Sequence, residues 1–202
     1  MSFPGTIVGD KMRVFTHPND ESQYEEDSWG CPPKVVPNVV FKMRVFDSGQ
    51  EGPNPYKWSH VSSMDLFANK TVVIFSLPGA FTPTCSTYQL PGFEENFNAF
   101  QLRGIDEIYC ISVNDAFVMN AWAKAQNINN VKMIPDGSAE FTRAMNMEVQ
   151  KDNLGFGARS WRYAAVVNNG WITHLFVERD KTDNAGEDPY EYTAPEYILE
   201  KL

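Results

Sequence analysis

The sequence predicts an α/β domain in which a mixed central sheet carries helices on both faces. Two short apolar runs, Val72–Ser76 and Ile108–Val113, are typical of strands that are buried on both sides. Each run is followed by a segment with helical spacing, and a hairpin pattern comes near the end of the chain. Strands that alternate with helices and finish in a hairpin favour a mixed sheet between two helical layers.

The elements up to the second apolar run follow from caps, breakers and apolar spacing. The predicted cap of the helix after the first run is Thr82 or Thr84, and a proline inside that helix should kink it. In order we predict a strand at Val39–Phe46, a Gly/Pro-rich loop at Gly49–Lys57, a serine-capped helix at Ser62–Phe67, the strand Val72–Ser76, and a helix that runs toward Leu102 with its kink at Pro91.

The second half begins with a helix that Asn114 or Asp115 caps. Its apolar positions are spaced three and four apart. Because Asn-Gly suits a type I′ turn, Asn169-Gly170 predicts a hairpin. The elements are the helix with an apolar face of Val118, Ala121, Trp122 and Ala125, a turn at Pro135-Asp136-Gly137, a short helix around Phe141–Met145, strands at Tyr163–Val167 and Trp171–Val177, and a last helix at Ala194–Leu202.

Residues 1–37 differ from residues 38–202 in composition. They contain five prolines and an acidic patch, which predicts an extension that is only partly structured on its own. The remaining residues form the compact domain. The pentapeptide KMRVF occurs at Lys11–Phe15 and again at Lys42–Phe46. The repeat is either a coincidence or a strand-like copy that pairs at a sheet edge or with a partner chain.

The composition excludes several classes of protein. The 202 residues carry 17 basic and 26 acidic side chains, a net charge of −9, and no run of lysine and arginine. Binding to nucleic acid or to an anionic membrane is therefore not expected. Three cysteines without a CxxC pair, and three scattered histidines, predict neither a disulfide framework nor a metal site. Since no secretory signal is visible, the sequence favours a reducing cytoplasm.

The best candidate for chemistry is Cys85, within the segment PGAFTPTCS. This cysteine lies where a strand ends and a helix begins, so that free backbone N–H groups and the helix dipole favour its thiolate. Thr82, three residues earlier, can bring a hydroxyl close to the sulfur, and Pro78 and Pro83 stiffen the loop and limit access of water. The alternative is a small buried cysteine without chemistry.

The segment VVIFSLPGAFTPTCS resembles the active-site loop of type II, or peroxiredoxin-5-like, peroxiredoxins. The resemblance continues in LPGFEENF, ISVNDAFVMNAW and LGFGARSWRYAAVVNNG, and so covers most of residues 37–202. It implies a thioredoxin-like fold and a peroxidase whose peroxide-reactive residue is Cys85. It also implies that Thr82 contacts sulfur and peroxide, that Pro78 shields the thiolate, and that Arg162 is the arginine of the site, with Arg159 a weaker candidate.

Such a reaction needs no cofactor, because a guanidinium and a hydroxyl can hold the two peroxide oxygens in line with the sulfur. It leaves a sulfenic acid that a thiol must reduce. Cys110 lies in a predicted buried strand and Cys31 lies in the extension, and either is a possible resolving cysteine. We favour an external thiol instead: glutathione with glutaredoxin, or thioredoxin. The chain especially resembles bacterial peroxiredoxins that are fused to glutaredoxin, and the family implies a homodimer.

Two other functions would also use Cys85, and the sequence argues against the second of them. A redox-sensing interaction protein would use oxidation of Cys85 as its signal and the extension as its binding segment. A thiol–disulfide oxidoreductase normally needs CxxC, which the sequence lacks.

Overall fold

The computed structural model describes residues 5–8, 11–14 and 32–202 of the chain. The strands in these residues are β1 (Gly5–Val8), β2 (Lys11–Val14), β3 (Val40–Phe46), β4 (Tyr56–Ser62), β5 (Thr71–Leu77), β6 (Glu107–Ser112), β7 (Lys132–Pro135), β8 (Glu148–Gln150), β9 (Ala158–Ser160), β10 (Tyr163–Asn168) and β11 (Trp171–Val177). The α-helices are α1 (Ser63–Phe67), α2 (Leu90–Glu95), α3 (Phe97–Leu102), α4 (Ala116–Ala125), α5 (Glu140–Ala144) and α6 (Pro195–Lys201).

The main sheet has seven strands in the order β2-β1-β11-β10-β5-β6-β7. β5, β6 and β7 run parallel to one another, whereas β10 is antiparallel to both of its neighbours. One apolar core lies between the sheet and α1 and α5, and a second lies between the opposite face and α2, α3, α4 and α6. The predicted mixed sheet with helices on both faces is confirmed.

The two apolar runs are the central parallel strands of this sheet. Residues 72–77 of β5 and 108–112 of β6 are buried without exception. Parallel strands that are covered by helices on both faces favour such continuous apolar sequences over alternating ones. These strands place the chain segments that follow them at one edge of the sheet, where their carboxyl ends lie.

The predicted hairpin is also confirmed. β10 and β11 pair up to Asn168 and Trp171, with only Asn169 and Gly170 between them. Both turn residues have positive φ, 47° and 81°, as a type I′ turn requires. This tight turn sets the pairing next to it, and a one-residue shift between Val166 and Val167 then sets the register in which the start of β10 pairs with the end of β11.

The helix predicted from Thr82 or Thr84 to Leu102 is divided into three parts. Residues Cys85–Gln89 form a π-helical turn in which Leu90 N–H donates to the Cys85 carbonyl, and α2 and α3 follow. Thr84 makes no capping hydrogen bond through its side chain, so that part of the prediction is wrong. Pro91 lies in the first turn of α2, and because proline has no N–H the wide turn ends there.

The predicted apolar face of α4 is only partly right. Its cap is Asp115, whose carboxylate accepts from the N–H groups of Phe117 and Val118. Trp122 is buried as predicted, but it shares that face with Ala116 and Met119, whereas Ala121 and Ala125 are exposed. Four strands carry too little apolar pattern to be predicted from the sequence: β7, β8 and β9 are short, and β4 has no fully buried residue.

Both copies of the KMRVF repeat contain strands. Lys11–Val14 is the outermost strand of the main sheet, and residues 42–46 lie in β3, which pairs with β4. β1 pairs in parallel with the end of β11, at Phe176 and Val177. Residues 34–36 bond to the start of β11, where Val35 opposes Trp171. Two segments from the predicted extension therefore lie along the outer edge of β11.

In the described part of the chain, no helix is both long enough and apolar enough to cross a membrane.

Candidate active site

Three chain segments meet at the edge of the sheet where β5 ends. β10 is antiparallel to β5 and pairs Tyr163 with Ser76, so Arg162 lies one step further, beside the last residue of β5. β11 is antiparallel to β10, and the N–H of Glu178 donates to the Arg162 carbonyl at 3.2 Å. The loop after β5, the start of β10 and the loop after β11 are thereby adjacent, although they are far apart in the sequence.

Cys85 lies in the first helical turn after β5. The Thr82 carbonyl accepts the N–H of Ser86 at 3.0 Å, which places Cys85 inside that first turn. Its side chain is completely buried, among residues of the core that α2, α3, α4 and α6 share. A thiol in this place is shielded from bulk water, and even a small molecule reaches it only when the surrounding residues move.

Thr82 and Pro78 lie where the sequence placed them, on the loop between β5 and the helical turn. The Thr82 hydroxyl donates to the Gly79 carbonyl at 2.8 Å, so its oxygen lone pairs stay available to accept a hydrogen bond. Pro78 is buried directly after the last residue of β5. The loop is also held by Asn114, whose side-chain oxygen accepts the N–H of Ala80 at 2.9 Å.

Arg162 is the charged group that faces Cys85. Its Nη1 lies 3.5 Å from the Cys85 sulfur, and its side chain is only 1% exposed. Burial by itself lowers the pKa of this guanidinium, but the Cys85 thiolate and the Asp188 carboxylate outweigh burial and raise it. Arg162 is therefore a permanently charged donor fixed beside the sulfur.

Two partners of Arg162 were missed by the sequence analysis. Gln89 lies four residues after Cys85, one helical turn away, and its side-chain oxygen accepts from Nη1. Asp188 accepts from Nη2 with both carboxylate oxygens, at 2.5 Å each. The spacing of Gln89 from Cys85 is a signal that could have been used, because a polar side chain four residues on shares the helix face. No sequence pattern around Asp188 predicts that it pairs with Arg162.

Arg159 points elsewhere. Its Nη1 donates to the Val113 carbonyl at 2.7 Å, and its guanidinium lies over the ring of Phe156. Burial lowers the pKa of this guanidinium. Of the two arginines weighed from the sequence, Arg162 is the one that the fold brings to the sulfur.

The comparison with known proteins identifies the family. The Redoxin family profile matches residues 47–192. A protein from Rhizobium etli described as a peroxiredoxin is 59% identical over 169 residues, which are 84% of this chain and 94% of that protein. The chain belongs to the peroxiredoxin family. The resemblance found in the sequence is confirmed, and so is the thioredoxin-like fold.

Other relatives and solved structures align with most of the chain of this peroxiredoxin. The hybrid peroxiredoxin hyPrx5 of Haemophilus influenzae is 45% identical over 84% of this chain and 65% of its own length. The crystal structure of the Plasmodium falciparum antioxidant protein, a 1-Cys peroxiredoxin, has a TM-score of 0.77 and 37% identity over 87% of this chain and 97% of that one. Reduced Prx3 of Vibrio vulnificus in complex with hydrogen peroxide has a TM-score of 0.71 and 38% identity, over 84% and 94%.

The second described cysteine of this peroxiredoxin, Cys110, lies in the middle of β6. It is fully buried, and its neighbours in the sheet are Phe75 of β5 and Met133 of β7. Burial, with a smaller contribution from the Cys85 thiolate, raises the pKa of the Cys110 thiol well above its usual value. This environment suits a core side chain, because a neutral thiol is a poor nucleophile. Cys31 lies outside the described residues.

Among the described residues, no cluster of three or more histidine, cysteine, aspartate or glutamate side chains could hold a metal ion.

Proposed function

We propose that this peroxiredoxin reduces hydrogen peroxide and small organic hydroperoxides with Cys85 as the attacking residue, and that it works in the cytoplasm. The observation that carries this proposal is the contact between Arg162 Nη1 and the Cys85 sulfur, 3.5 Å long and inside the protein. A buried thiolate beside a fixed guanidinium has a stabilised charge and a donor ready for the peroxide. The Vibrio vulnificus structure with bound hydrogen peroxide supports the choice of substrate.

In the first step the Cys85 thiolate attacks the nearer peroxide oxygen along the O–O axis. A sulfur–oxygen bond forms, the O–O bond breaks, and the sulfur is oxidised by two electrons to a sulfenic acid. The departing oxygen carries the negative charge, accepts a proton and leaves as water or an alcohol. Arg162 stabilises the developing charge, and the Thr82 oxygen accepts a hydrogen bond from the hydroperoxide O–H.

Pro78 and the core around Cys85 exclude bulk water from the reacting atoms. Both Pro78 and Cys85 are buried, so the charges at the site interact in surroundings of low polarity. Electrostatic stabilisation is stronger there than in water. The site therefore favours the compact substrates, hydrogen peroxide above all, over bulky hydroperoxides.

For recycling we propose an external thiol, in a 1-Cys type of mechanism. A glutathione thiolate attacks the sulfenic acid: a sulfur–sulfur bond forms, and the hydroxide that leaves takes up a proton to become water. A thiolate of glutaredoxin or of a second glutathione then attacks the glutathione sulfur of this mixed disulfide and releases the Cys85 thiolate. The burial of Cys110 in β6 supports this choice over an internal resolving cysteine. The name of the hybrid relative and the 1-Cys description of the Plasmodium falciparum protein point the same way. Thioredoxin is the alternative reductant.

We also propose a homodimer that forms through the surface beside the active site. Exposed aromatic side chains lie on this side of the molecule, since Phe81 belongs to the Cys85 loop and Phe117 to α4. Phe81 contacts Trp122, whose indole N–H donates to the Ser86 hydroxyl next to Cys85. Apolar rings at the surface are typical of residues that a second subunit covers.

For residues 1–37 we propose an extension that protects the edge of the domain. Residues 34–36 and β1 lie along the outer side of β11, which is otherwise an unpaired edge with free N–H and C=O groups. β11 leads directly into Glu178, next to Arg162, so this edge is connected to the active site. This connection is the observation that keeps the redox-sensing function as a second candidate.

The test of the enzyme proposal is steady-state peroxide consumption with glutathione and glutaredoxin, and separately with thioredoxin. We expect Cys85→Ser to lose essentially all turnover, while Cys110→Ser and Cys31→Ser keep most of it. Retained turnover in Cys85→Ser would refute the assignment of Cys85. Loss of turnover in Cys110→Ser or Cys31→Ser, in a folded protein, would refute the external-thiol scheme and identify a resolving cysteine. Peroxide oxidation of Cys85 without turnover with any thiol would favour the sensor.

A further inference from the structure

The guanidinium of Arg162 is held from three directions. Nε donates to the Pro189 carbonyl at 3.0 Å, Nη2 donates to both oxygens of Asp188, and Nη1 faces Gln89 and Cys85. Two of these partners come from the segment between β11 and α6, and not from the Cys85 loop. The position of Nη1 at the sulfur therefore depends on where this segment lies.

The segment between β11 and α6 is tied at both ends by one buried carboxylate. Oε1 of Glu178, at its start, accepts the N–H of Glu191 at 2.8 Å, the N–H of Thr193 at 2.9 Å and the Thr193 hydroxyl at 2.8 Å. Asp188 lies between these anchor points and is held against Arg162. The same Thr193 hydroxyl lies 3.5 Å from the side-chain nitrogen of Gln89, which links the segment to the helix that carries Cys85.

The two side chains of the Arg162–Asp188 ion pair differ greatly in exposure: that of Arg162 is 1% exposed and that of Asp188 is 38% exposed. A buried guanidinium without a negative partner is costly, because it has lost its hydration. Cys85 supplies a negative charge only while it is a thiolate, and it is neutral as a sulfenic acid or a mixed disulfide. Asp188 is the partner whose charge persists through every stage of that cycle.

We propose that Asp188 is a positioning residue for the peroxide reaction: its two carboxylate oxygens lock the Arg162 guanidinium so that Nη1 stays on the Cys85 sulfur. The inference rests on the proposed function of Cys85. Asp188 touches neither the sulfur nor the substrate site and acts only through Arg162. Its removal leaves Nη2 free to turn the guanidinium away from the sulfur, which impairs the reaction that needs the guanidinium.

The test compares two reactions of the same thiol. Hydrogen peroxide needs Arg162 for the departing oxygen, whereas alkylation by iodoacetamide needs only an accessible thiolate. In a Cys31→Ser, Cys110→Ser background we expect Asp188→Ala to slow oxidation by hydrogen peroxide about 10- to 100-fold, the cost of a small misplacement of a catalytic group. Alkylation should change much less, so the ratio of the two rates falls. Asp188→Glu should restore most of the ratio, and Asp188→Asn, which keeps one acceptor oxygen, should lie between.

Glu187→Ala is the matched control, because this exposed carboxylate is the neighbour of Asp188 in the same segment. It should leave both rates unchanged. An unchanged ratio in Asp188→Ala, whether both rates persist or both fall together with the melting temperature, overturns the inference. If the parent protein reacts with hydrogen peroxide but Asp188→Ala leaves the ratio of the two rates unchanged, the inference about Asp188 fails and the proposed function stands. If the parent protein does not react with hydrogen peroxide, the proposed function itself fails.

Discussion

Replacement of Arg162 by lysine is the most direct test of the active-site geometry. The charge is retained, but the planar arrangement of donors is lost. In the structure three nitrogens of Arg162 serve different partners: Pro189, Asp188, and the pair formed by Gln89 and Cys85. A single ammonium group cannot reach all of them, and the Asp188 carboxylate attracts it away from the sulfur.

The size of the effect follows from the contacts that are lost. Removal of one well-placed donor to a developing negative charge typically costs about 2.7–4 kcal/mol, which corresponds to roughly a 10²- to 10³-fold loss of rate. We expect Arg162→Lys to lower kcat/KM for hydrogen peroxide within that range. Stability should fall as well, because a buried polar group that is left unpaired costs about 1–3 kcal/mol, and Gln89 and the Pro189 carbonyl both lose a donor.

The assay is initial-rate peroxide consumption with saturating reductant, together with thermal unfolding to correct for the folded fraction. Arg143→Lys is the control, because Arg143 forms a surface ion pair with Glu148 at 2.8 Å and its side chain is 60% exposed. Exposed pairs contribute about 0–1 kcal/mol, so neither rate nor stability should change much. A folded Arg162→Lys protein with at least a third of the parent kcat/KM would refute the argument that the fixed guanidinium carries the reaction.

Three further predictions concern stability. Burial lowers the pKa of His174, so as the pH falls below the ordinary value of 6.5 the unfolded chain takes up a proton on this residue before the folded protein does. The free energy of unfolding should therefore decrease from neutral pH toward pH ~5. His174→Gln should flatten this pH dependence, which urea titrations at several pH values would measure. Gly92→Ala brings a methyl group to 3.2 Å from the Pro195 ring and should cost about 1 kcal/mol, whereas Gly186→Ala, with open space around it, should not lower the melting temperature. Deletion of residues 1–31 should lower the melting temperature and promote self-association in size-exclusion chromatography, because it uncovers the edge of β11; an unchanged profile would contradict the protective role.

The parts of the fold that were predictable are those that local sequence determines. β5 and β6 are continuous apolar runs, and Asn169-Gly170 requires backbone angles that few other pairs adopt easily. β4 was missed because none of its side chains is fully buried, so no burial imposes an apolar pattern on it. The face of α4 was misjudged for a related reason: small residues such as Ala121 fit a core or a surface equally well.

The candidate site, like the fold, has residues that a local sequence motif identifies and residues that only the fold brings into place. Cys85, Thr82 and Pro78 lie within eight residues of one another, and their motif identifies them together. Arg162 was assigned by family resemblance, and the register of β10 on β5 gives the physical reason for its place. Asp188 depends on the path of a long segment after β11, which no local pattern specifies.

The burial of Cys85 places a physical condition on the catalytic cycle. In the proposed cycle two reactants must reach a sulfur that has no exposed surface, and glutathione or glutaredoxin is a much larger molecule than hydrogen peroxide. In this proposal the sulfenic acid moves outward before it is reduced, through opening of the wide turn Cys85–Gln89 that carries it. When Cys85 moves outward in this scheme, Arg162 loses its contact with the sulfur at Nη1, and Asp188 and the Pro189 carbonyl still hold the guanidinium. We therefore expect the guanidinium to stay in place while the sulfur is reduced, so that the returning thiolate meets a site that is already organised for the next peroxide.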